Sequence, residues 1–246
     1  MSLPVHLVES LADVAAGSSV EVTGDEAHHA VAVRRLRVGE HVMLTDGVGA
    51  AATGTVAETG QRRFTVHVSD VRREERPVPE LVVVQAIPKG DRGELAVEVV
   101  TEIGVARIVP WAAARSVAVW KGERAARSLA RWRATAREAS KQARRVWAAE
   151  VADLVHTQDA ARLVAAADLA VVLHEAARGR LADLPIPSRG TVVVVVGPEG
   201  GLTDEELAAF ETAGARTVRM GAEVLRTSTA GVAAAAALLS RTPRWG

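Results

Sequence analysis

A glycine-rich loop follows the most apolar strand pattern in the sequence. Five consecutive valines at 192–196 run directly into Gly197-Pro198-Glu199-Gly200-Gly201, and Thr203 with Glu206 then predicts a capped helix start. In an open parallel sheet, ligands bind outside the carboxyl ends of strands, where glycines let the backbone approach closely. This loop is the best candidate for a ligand site, with a tight turn without a ligand as the alternative. The absence of GxxxxGK[ST] and GxGxxG disfavours nucleoside-triphosphate chemistry.

Two further strand ends carry polar residues. Met220-Gly221 leads through a short loop to Leu225-Arg226-Thr227-Ser228, and Leu173-His174 ends another apolar run. If these strands are neighbours, all three loops converge on one edge of the sheet. Taken singly, each feature has a structural alternative: Thr227 or Ser228 as a helix cap, Arg226 in a surface ion pair and His174 as a turn residue.

Charge is segregated along a chain whose net charge is zero, with 30 basic and 30 acidic residues. Between Arg115 and Trp147, ten basic residues stand against Glu123 and Glu138, a local charge of +8. We predict one long helix here, with a buried stripe of Leu129, Trp132, Ala136, Ala139, Ala143 and Val146. Such a run is usually a solvated face, but this imbalance is too large for alternating ion pairs and suits a phosphate polyanion.

Several classes of protein are disfavoured. The 246 residues contain no cysteine, which excludes disulfides, thiolate metal sites and a cysteine nucleophile. His28-His29 lacks metal-ligand spacing, so no metal is expected. No apolar run approaches the roughly 20 residues of a membrane-spanning helix. The start of the sequence is unlike a signal peptide, which makes the cytoplasm the expected location.

Two domains are predicted from the change in pattern along the chain. Short alternating stretches up to about residue 71 predict a small β-barrel or sandwich, with one helix over 25–36. A charged and then proline-punctuated linker follows at 72–79. Beyond it, continuous apolar strands alternate with helices, which predicts an α/β domain with a parallel sheet. We therefore expect domains at 1–73 and 78–246. The predicted strands are 81–87, 108–111, 169–173, 192–196 and 218–220, and the last helix is 225–240.

These residues resemble the RsmE family, bacterial 16S ribosomal RNA (uracil-N3)-methyltransferases of the SPOUT superfamily. The resemblance covers nearly the whole chain. It rests on an ordered set of motifs: His28-His29 through Gly39, Pro88-Lys89-Gly90-Asp91-Arg92, Thr101-Glu102-Ile103-Gly104-Val105, Arg131-Trp132, Glu138-Ala139, Gln142 with Arg144-Arg145, Gly197 to Gly201 and Leu225-Arg226-Thr227.

The resemblance implies an N-terminal PUA-like β-barrel that helps to hold RNA and a C-terminal SPOUT domain with a trefoil knot. It implies S-adenosylmethionine-dependent methylation of N3 of one uridine in 16S rRNA of the small ribosomal subunit, by a homodimer. The cofactor-binding residues it implies are Leu173, His174, Gly197, Pro198, Glu199, Gly200, Gly201, Met220, Gly221 and Leu225. Arg226 is the catalytic candidate, to orient the uracil or stabilise charge on its carbonyl oxygens. Candidates for phosphate contacts are Arg34, Arg37, Lys89, Arg92 and Arg144.

One position departs from the family pattern. The usual segment after Leu-Arg is Thr-Glu-Thr-Ala, and Ser228 stands where the Glu is expected. This substitution supports an alternative function, a non-catalytic RNA-binding or ribosome-assembly factor on the same fold. A weaker alternative, from pattern alone, is a small-molecule enzyme that binds an anion at the helix beginning near Thr203.

Overall fold

The computed structural model describes residues 3–245 and divides the chain into two compact units. One unit holds the chain up to Arg76 together with Ser140–Ala148, and the other holds Pro77–Ala139 and the chain from Ala149 onward. The division after Arg76 falls within the predicted linker at 72–79. The structure differs from the two predicted ranges in placing Ser140–Ala148 with the first unit, because Val146 is buried there in a cluster with Val5, Met43 and Ala51.

The first unit is built on a five-stranded sheet in the order β1-β3-β4-β5-β2. Its ladders are antiparallel except for the parallel pair β1 and β3. In place of one helix over 25–36, α1 passes into a π-helical turn, His29–Val33. Alternate strand residues such as Val42, Leu44 and Phe64 point into the hydrophobic core of the first unit. The elements are β1 (Val5–Leu7), β2 (Ser19–Thr23), α1 (Gly24–His28), β3 (His41–Thr45), β4 (Ala50–Gly60) and β5 (Arg63–Arg73).

The second unit is an α/β domain around a seven-stranded sheet in which every ladder is parallel. The sheet order is β10-β12-β9-β11-β6-β7-β8. All five predicted strands form; β8 and β10 were not predicted, because two residues are too short to show a periodic pattern. The elements are β6 (Glu80–Ala86), α2 (Arg92–Glu102), β7 (Arg107–Trp111), α3 (Gly122–Gln142), β8 (Glu150–Val151), α4 (Thr157–Ala165), β9 (Leu169–Leu173), β10 (Gly179–Arg180), β11 (Thr191–Val196), α5 (Asp204–Thr212), β12 (Arg216–Arg219) and α6 (Thr227–Leu239).

Both faces of this sheet are covered, which explains its continuous apolar strands. Along β11, Val194 and Val196 belong to a core that includes residues of α2, α3 and α6. Val193 and Val195 belong to a second core with residues of α4 and α5. Because successive strand residues point to opposite faces, a strand buried on both sides needs apolar residues at every position.

The structure defines the buried side of α2 and corrects the extent of the basic helix. On α2, Val97 and Val100 are buried while Leu95 is 43% exposed. The basic segment is not one helix from 115 to 147 but α3 alone, which ends at Gln142.

A Schellman-type turn ends α3. Arg144 adopts a left-handed φ of 53°, its N–H donates to the Lys141 carbonyl, and the N–H of Arg145 donates to the Ser140 carbonyl. Ala143 and Val146 therefore lie beyond the helix. Between residues 3 and 245, no helix is both long and apolar enough to cross a membrane.

Candidate active site

One cavity of about 320 Å³ lies where the predicted strand ends meet. Strands β12, β9 and β11 are consecutive in the sheet, so the loops after them are neighbours, as the sequence predicted. The volume is at the lower end of the range for small-ligand sites. Nine of the ten predicted cofactor residues line it: Leu173, His174, Gly197, Pro198, Glu199, Gly201, Met220, Gly221 and Leu225.

Gly200 is the exception and has a different role. It is not among the described residues that line the cavity. A Cβ at this position would lie 2.9 Å from the carbonyl oxygen of Arg115 and 3.0 Å from its Cβ. A side chain at position 200 would therefore meet Arg115 first. Gly200 instead allows the glycine loop to pack against the backbone at Arg115.

Residues adjacent to the quoted motifs complete the lining. Three charged residues and one valine among them were not predicted as site residues: Glu175, Arg219, Glu223 and Val224. Their positions in the sequence could have identified them, since each follows or ends one of the three strands. The cavity thus has an apolar wall together with both acidic and basic side chains.

His174 is fixed at the end of β9. Its N–H donates to the Val218 carbonyl at 3.0 Å, which extends the pairing of β9 with β12. Its ring Nδ1 accepts a hydrogen bond of 3.2 Å from the N–H of Ala176, which assigns the ring proton to Nε2. The residue is therefore both a turn residue and part of the cavity wall.

Glu199 links two neighbouring loops. Its Oε1 accepts a hydrogen bond of 3.2 Å from the backbone N–H of Lys89, in the loop after β6. Because β6 and β11 are adjacent in the sheet, this bond joins two strand-end loops at the rim of the cavity.

Arg226 presents an unpaired cation to the cavity. It is the N-cap residue of α6, where its carbonyl oxygen accepts from the N–H groups of Thr229 and Ala230, each at 2.9 Å. The residue lines the cavity and is exposed, and its guanidinium has no hydrogen-bond or ion-pair partner among residues 3–245. Backbone bonds thus hold the residue while its charge stays available. Ser228, by contrast, is only 3% exposed in the first turn of α6.

The start of α5 does not favour an anion. The Thr203 hydroxyl accepts from the Glu206 N–H at 3.2 Å, and the Glu206 carboxylate accepts from the N–H groups of Thr203 at 3.0 Å and Ala114 at 2.8 Å. Three acidic residues occupy the first turn. The pKa of Glu205 lies below its usual value because its own backbone N–H and the Thr203 hydroxyl stabilise the carboxylate. Negative charge already occupies this helix terminus, which weakens the anion-binding alternative.

Comparison with known proteins assigns the chain to a family. Residues 74–239 match the model of an RNA methyltransferase domain, and residues 22–69 match that of an RNA methyltransferase PUA domain. The chain is 43% identical over 244 residues to a Mycobacterium bovis protein named Ribosomal RNA small subunit methyltransferase E, covering 97% of this chain and 92% of that one. The chain belongs to the ribosomal RNA small subunit methyltransferase E family. A Bacillus subtilis member is 28% identical over 229 residues, covering 90% of each protein.

Solved structures confirm the predicted fold class of this methyltransferase family member. A putative methyltransferase from Legionella pneumophila, in complex with S-adenosylmethionine, superimposes with a TM-score of 0.88 at 26% identity, over 98% of this chain and 99% of that one. A Neisseria gonorrhoeae Ribosomal RNA small subunit methyltransferase E bound to S-adenosylmethionine gives 0.85 at 26% identity, over 97% and 98%. The predicted α/β domain and N-terminal PUA-type domain are confirmed.

The predicted RNA-contacting side chains are exposed in both units. Arg34, Arg37 and Arg144 belong to the first unit, and Lys89 and Arg92 belong to the second. Within the described range, none of these five side chains forms an ion pair or hydrogen bond with another residue. Unpaired surface cations of this kind suit phosphate contacts. No group of three or more His, Asp or Glu side chains within residues 3–245 is placed to hold a metal ion.

Proposed function

We propose that this methyltransferase transfers a methyl group from S-adenosylmethionine to N3 of one specific uridine in 16S rRNA of the small ribosomal subunit. The observation that carries this proposal is the cavity at three adjacent strand ends, which combines the predicted cofactor residues with the unpaired Arg226. The family assignment and the cofactor named in the related Legionella and Neisseria structures support it.

The cavity lining is compatible with this cofactor. Leu173, Met220 and Leu225 offer apolar contacts for an adenine ring, and the loop of Gly197 and Gly201 brings backbone polar groups to the rim. Gly197 is tightly placed, because a Cβ there would lie 3.1 Å from Cδ1 of Leu202. When bound, S-adenosylmethionine supplies an electrophilic methyl group on a sulfonium.

The protein's own groups then position the uracil base and accept its N3 proton. Uracil must lose the N3 proton as N3 attacks the methyl carbon, and negative charge develops on the flanking carbonyl oxygens. The Arg226 guanidinium can stabilise that charge with its forked donors. Ser228 cannot supply the carboxylate found at its position in the family pattern. Glu175 and Glu223 line the cavity and are the carboxylates we propose as acceptors of the proton.

The same family assignment supports proposals about substrate contacts and assembly. We propose that Arg34, Arg37, Lys89, Arg92 and Arg144 contact rRNA phosphates. We also propose that the second domain is knotted and pairs with a second copy as a homodimer, in the cytoplasm. Leu95, a large apolar residue that is exposed on α2 and does not line the cavity, is consistent with pairing. The non-catalytic alternative is not favoured, because the cavity keeps nearly all of the predicted cofactor residues.

Mass spectrometry of small-subunit rRNA from a deletion strain tests the function. We expect loss of one N3-methyluridine, restored by a plasmid carrying the wild-type gene but not by one carrying Arg226→Ala. Persistence of the modified nucleoside in the deletion strain would contradict the proposal. Restoration by Arg226→Ala at equal protein level would remove Arg226 from the catalytic role while leaving the substrate assignment intact.

A further inference from the structure

A second cavity, of about 280 Å³, lies in the α/β unit beside the loop after β6. Its walls come from the Pro88–Asp91 region, from the loop at 117–120 and from one face of α3. None of these lining residues belongs to the predicted cofactor set. Binding of S-adenosylmethionine in the first cavity therefore leaves the second cavity without an assigned ligand.

Two buried polar side chains of α3 line this cavity without a partner. Ser128 is 7% exposed and Trp132 is 2% exposed. Within residues 3–245, neither the Ser128 hydroxyl nor the Trp132 indole N–H forms a hydrogen bond. Neither polar atom is fully enclosed by protein, so both stay open to the cavity. The pair therefore offers two free hydrogen-bond donors to a ligand that carries acceptors.

The rest of the lining selects the chemistry of that ligand. Trp120, partly exposed, contributes an aromatic wall and meets Trp132 edge to face, with ring centroids 5.0 Å apart. Arg124 and Arg131 add cationic donors, and Asp91 and Glu94 add carboxylates, of which Glu94 pairs with Arg131 at 3.5 Å. Equal numbers of cations and carboxylates do not favour a free anion. A nucleobase carries acceptors and donors on one flat edge and an apolar face, so it satisfies all three kinds of group.

The position of the cavity connects it with the first one. Lys89, whose N–H bonds to Glu199 at the rim of the first cavity, lies in sequence between Pro88 and Gly90, which line the second. The exposed side chains of Lys89 and Arg92 flank this loop, where they can neutralise phosphates between two bound nucleotides. The two cavities are thus neighbours along a path that one RNA strand can follow.

We propose that the second cavity is a subsite for an unpaired nucleobase of the RNA substrate, close in the RNA chain to the methylated uridine. The proposal rests on the proposed function, since it takes RNA as the substrate. Trp120 stacks on the base, and Ser128, Trp132 and Arg124 bond its edge. The subsite contributes to recognition of the sequence around the target rather than to methyl transfer.

Binding can be tested without turnover by NMR of the indole N–H groups. Protein labelled with ¹⁵N-tryptophan and saturated with S-adenosylmethionine is titrated with the four nucleoside 5′-monophosphates, and Trp132→Phe assigns the signal. We expect the Trp132 signal to shift with at least one nucleotide and not with inorganic phosphate. No shift with any nucleotide at millimolar concentration, or an equal shift with phosphate, would overturn the proposal.

Kinetics with unmethylated small-subunit particles test the same site in the full reaction. Ser128→Ala and Arg124→Ala should raise KM for the particles about 10-fold, the size of one nucleobase contact, with kcat and cofactor affinity unchanged. Arg127→Ala is the matched control, because this α3 arginine is exposed, pairs with Glu123 and does not line the cavity.

Three other outcomes are informative. Equal KM values for all three variants would contradict the subsite. A changed oligomeric state of the Ser128 or Arg124 variant would identify the cavity as a contact between copies and also overturn the proposal. If the wild-type protein methylates no particle, the proposed function fails instead, and the mononucleotide titration still decides whether the cavity binds a base.

Discussion

The side-chain amide of Gln85 donates a hydrogen bond of 3.2 Å to the carbonyl oxygen of Thr227, 142 positions away in the sequence. Gln85 is 1% exposed near the end of β6, and its amide also donates to the carbonyl of Ala86 at 3.0 Å. Thr227 begins α6 directly after Arg226. The bond therefore fixes the helix start that carries the catalytic candidate to the central strand next to β11.

Gln85→Leu should lower kcat by about 10-fold to 100-fold, because a small displacement of a catalytic group is costly in rate. The Kd for S-adenosylmethionine should change less than kcat, because Gln85 itself does not line the first cavity and only Leu225 of the predicted cofactor residues adjoins the displaced helix start. Val97→Ala is the control: it removes packing from the same core, and Val97 carries no group that hydrogen-bonds to Thr227. If both variants lose melting temperature and kcat in the same proportion, Gln85 stabilises the fold and does not position Arg226.

Arg226→Ala should reduce kcat by at least about 100-fold while the Kd for S-adenosylmethionine stays within a factor of about three. The reason is that the guanidinium acts on charge that develops in the uracil, and its own position depends on backbone bonds of α6. Calorimetry and a methyl-transfer assay on small-subunit particles measure the two quantities. Arg216→Ala removes an exposed arginine of β12 that does not line the cavity, and it should retain turnover.

The strands of the second unit could be predicted from the sequence because a strand that is buried on both faces has an apolar residue at nearly every position. The sequence also predicted that three loops meet, because the loops after 173, 196 and 220 follow strands that prove to be consecutive in the sheet. Adjacency itself was an assumption, since order in a parallel sheet depends on crossover connections.

Other features depend on contacts that no local pattern encodes. The end of α3 at Gln142 requires a left-handed Arg144, although glycine is the residue that usually marks such a turn. The buried face of α2 is set by which side meets the core. The second cavity joins α3 to the loop that precedes it and to the loop after β6, about 40 residues earlier in the chain, so the sequence around Ser128 and Trp132 does not indicate a cavity.

Gly200→Val should abolish measurable cofactor binding through a displaced loop. A Cβ at this position meets the backbone of Arg115, and a backbone cannot rotate away as a side chain can. The neighbouring residues Glu199 and Gly201 line the cavity and should move with the loop. Gly214→Val is the control, because it has a left-handed φ of 98° but open space around its Cβ. Calorimetric titration with S-adenosylmethionine decides the matter, and an unchanged Kd in Gly200→Val would show that the loop tolerates the displacement.

A buried ion pair ties Lys141 to Glu26 within the first unit. The Lys141 Nζ lies 2.9 Å from Oε1 of Glu26, with side chains only 11% and 7% exposed, and Nδ1 of His6 lies 3.3 Å from the same oxygen. Glu26→Ala would leave the ammonium of Lys141 in a desolvated site, so the free energy of unfolding should fall by about 3 kcal/mol.

Urea unfolding of the full chain measures the cost, and Asp25→Ala provides a neighbouring control. Asp25 pairs with Arg62 at 2.6 Å in an exposed position, so its loss should cost less than about 1 kcal/mol. Replacing both partners, as Glu26→Gln with Lys141→Met, should recover part of the lost unfolding free energy because no charge of this pair then remains buried.

The same variant should affect binding of the RNA substrate. The ion pair anchors the segment that carries Arg144, a proposed phosphate contact three residues after Lys141, so Glu26→Ala should also raise KM for small-subunit particles. Equal effects of Glu26→Ala and Asp25→Ala on unfolding would show that water reaches the pair and that it does not anchor the segment of Arg144.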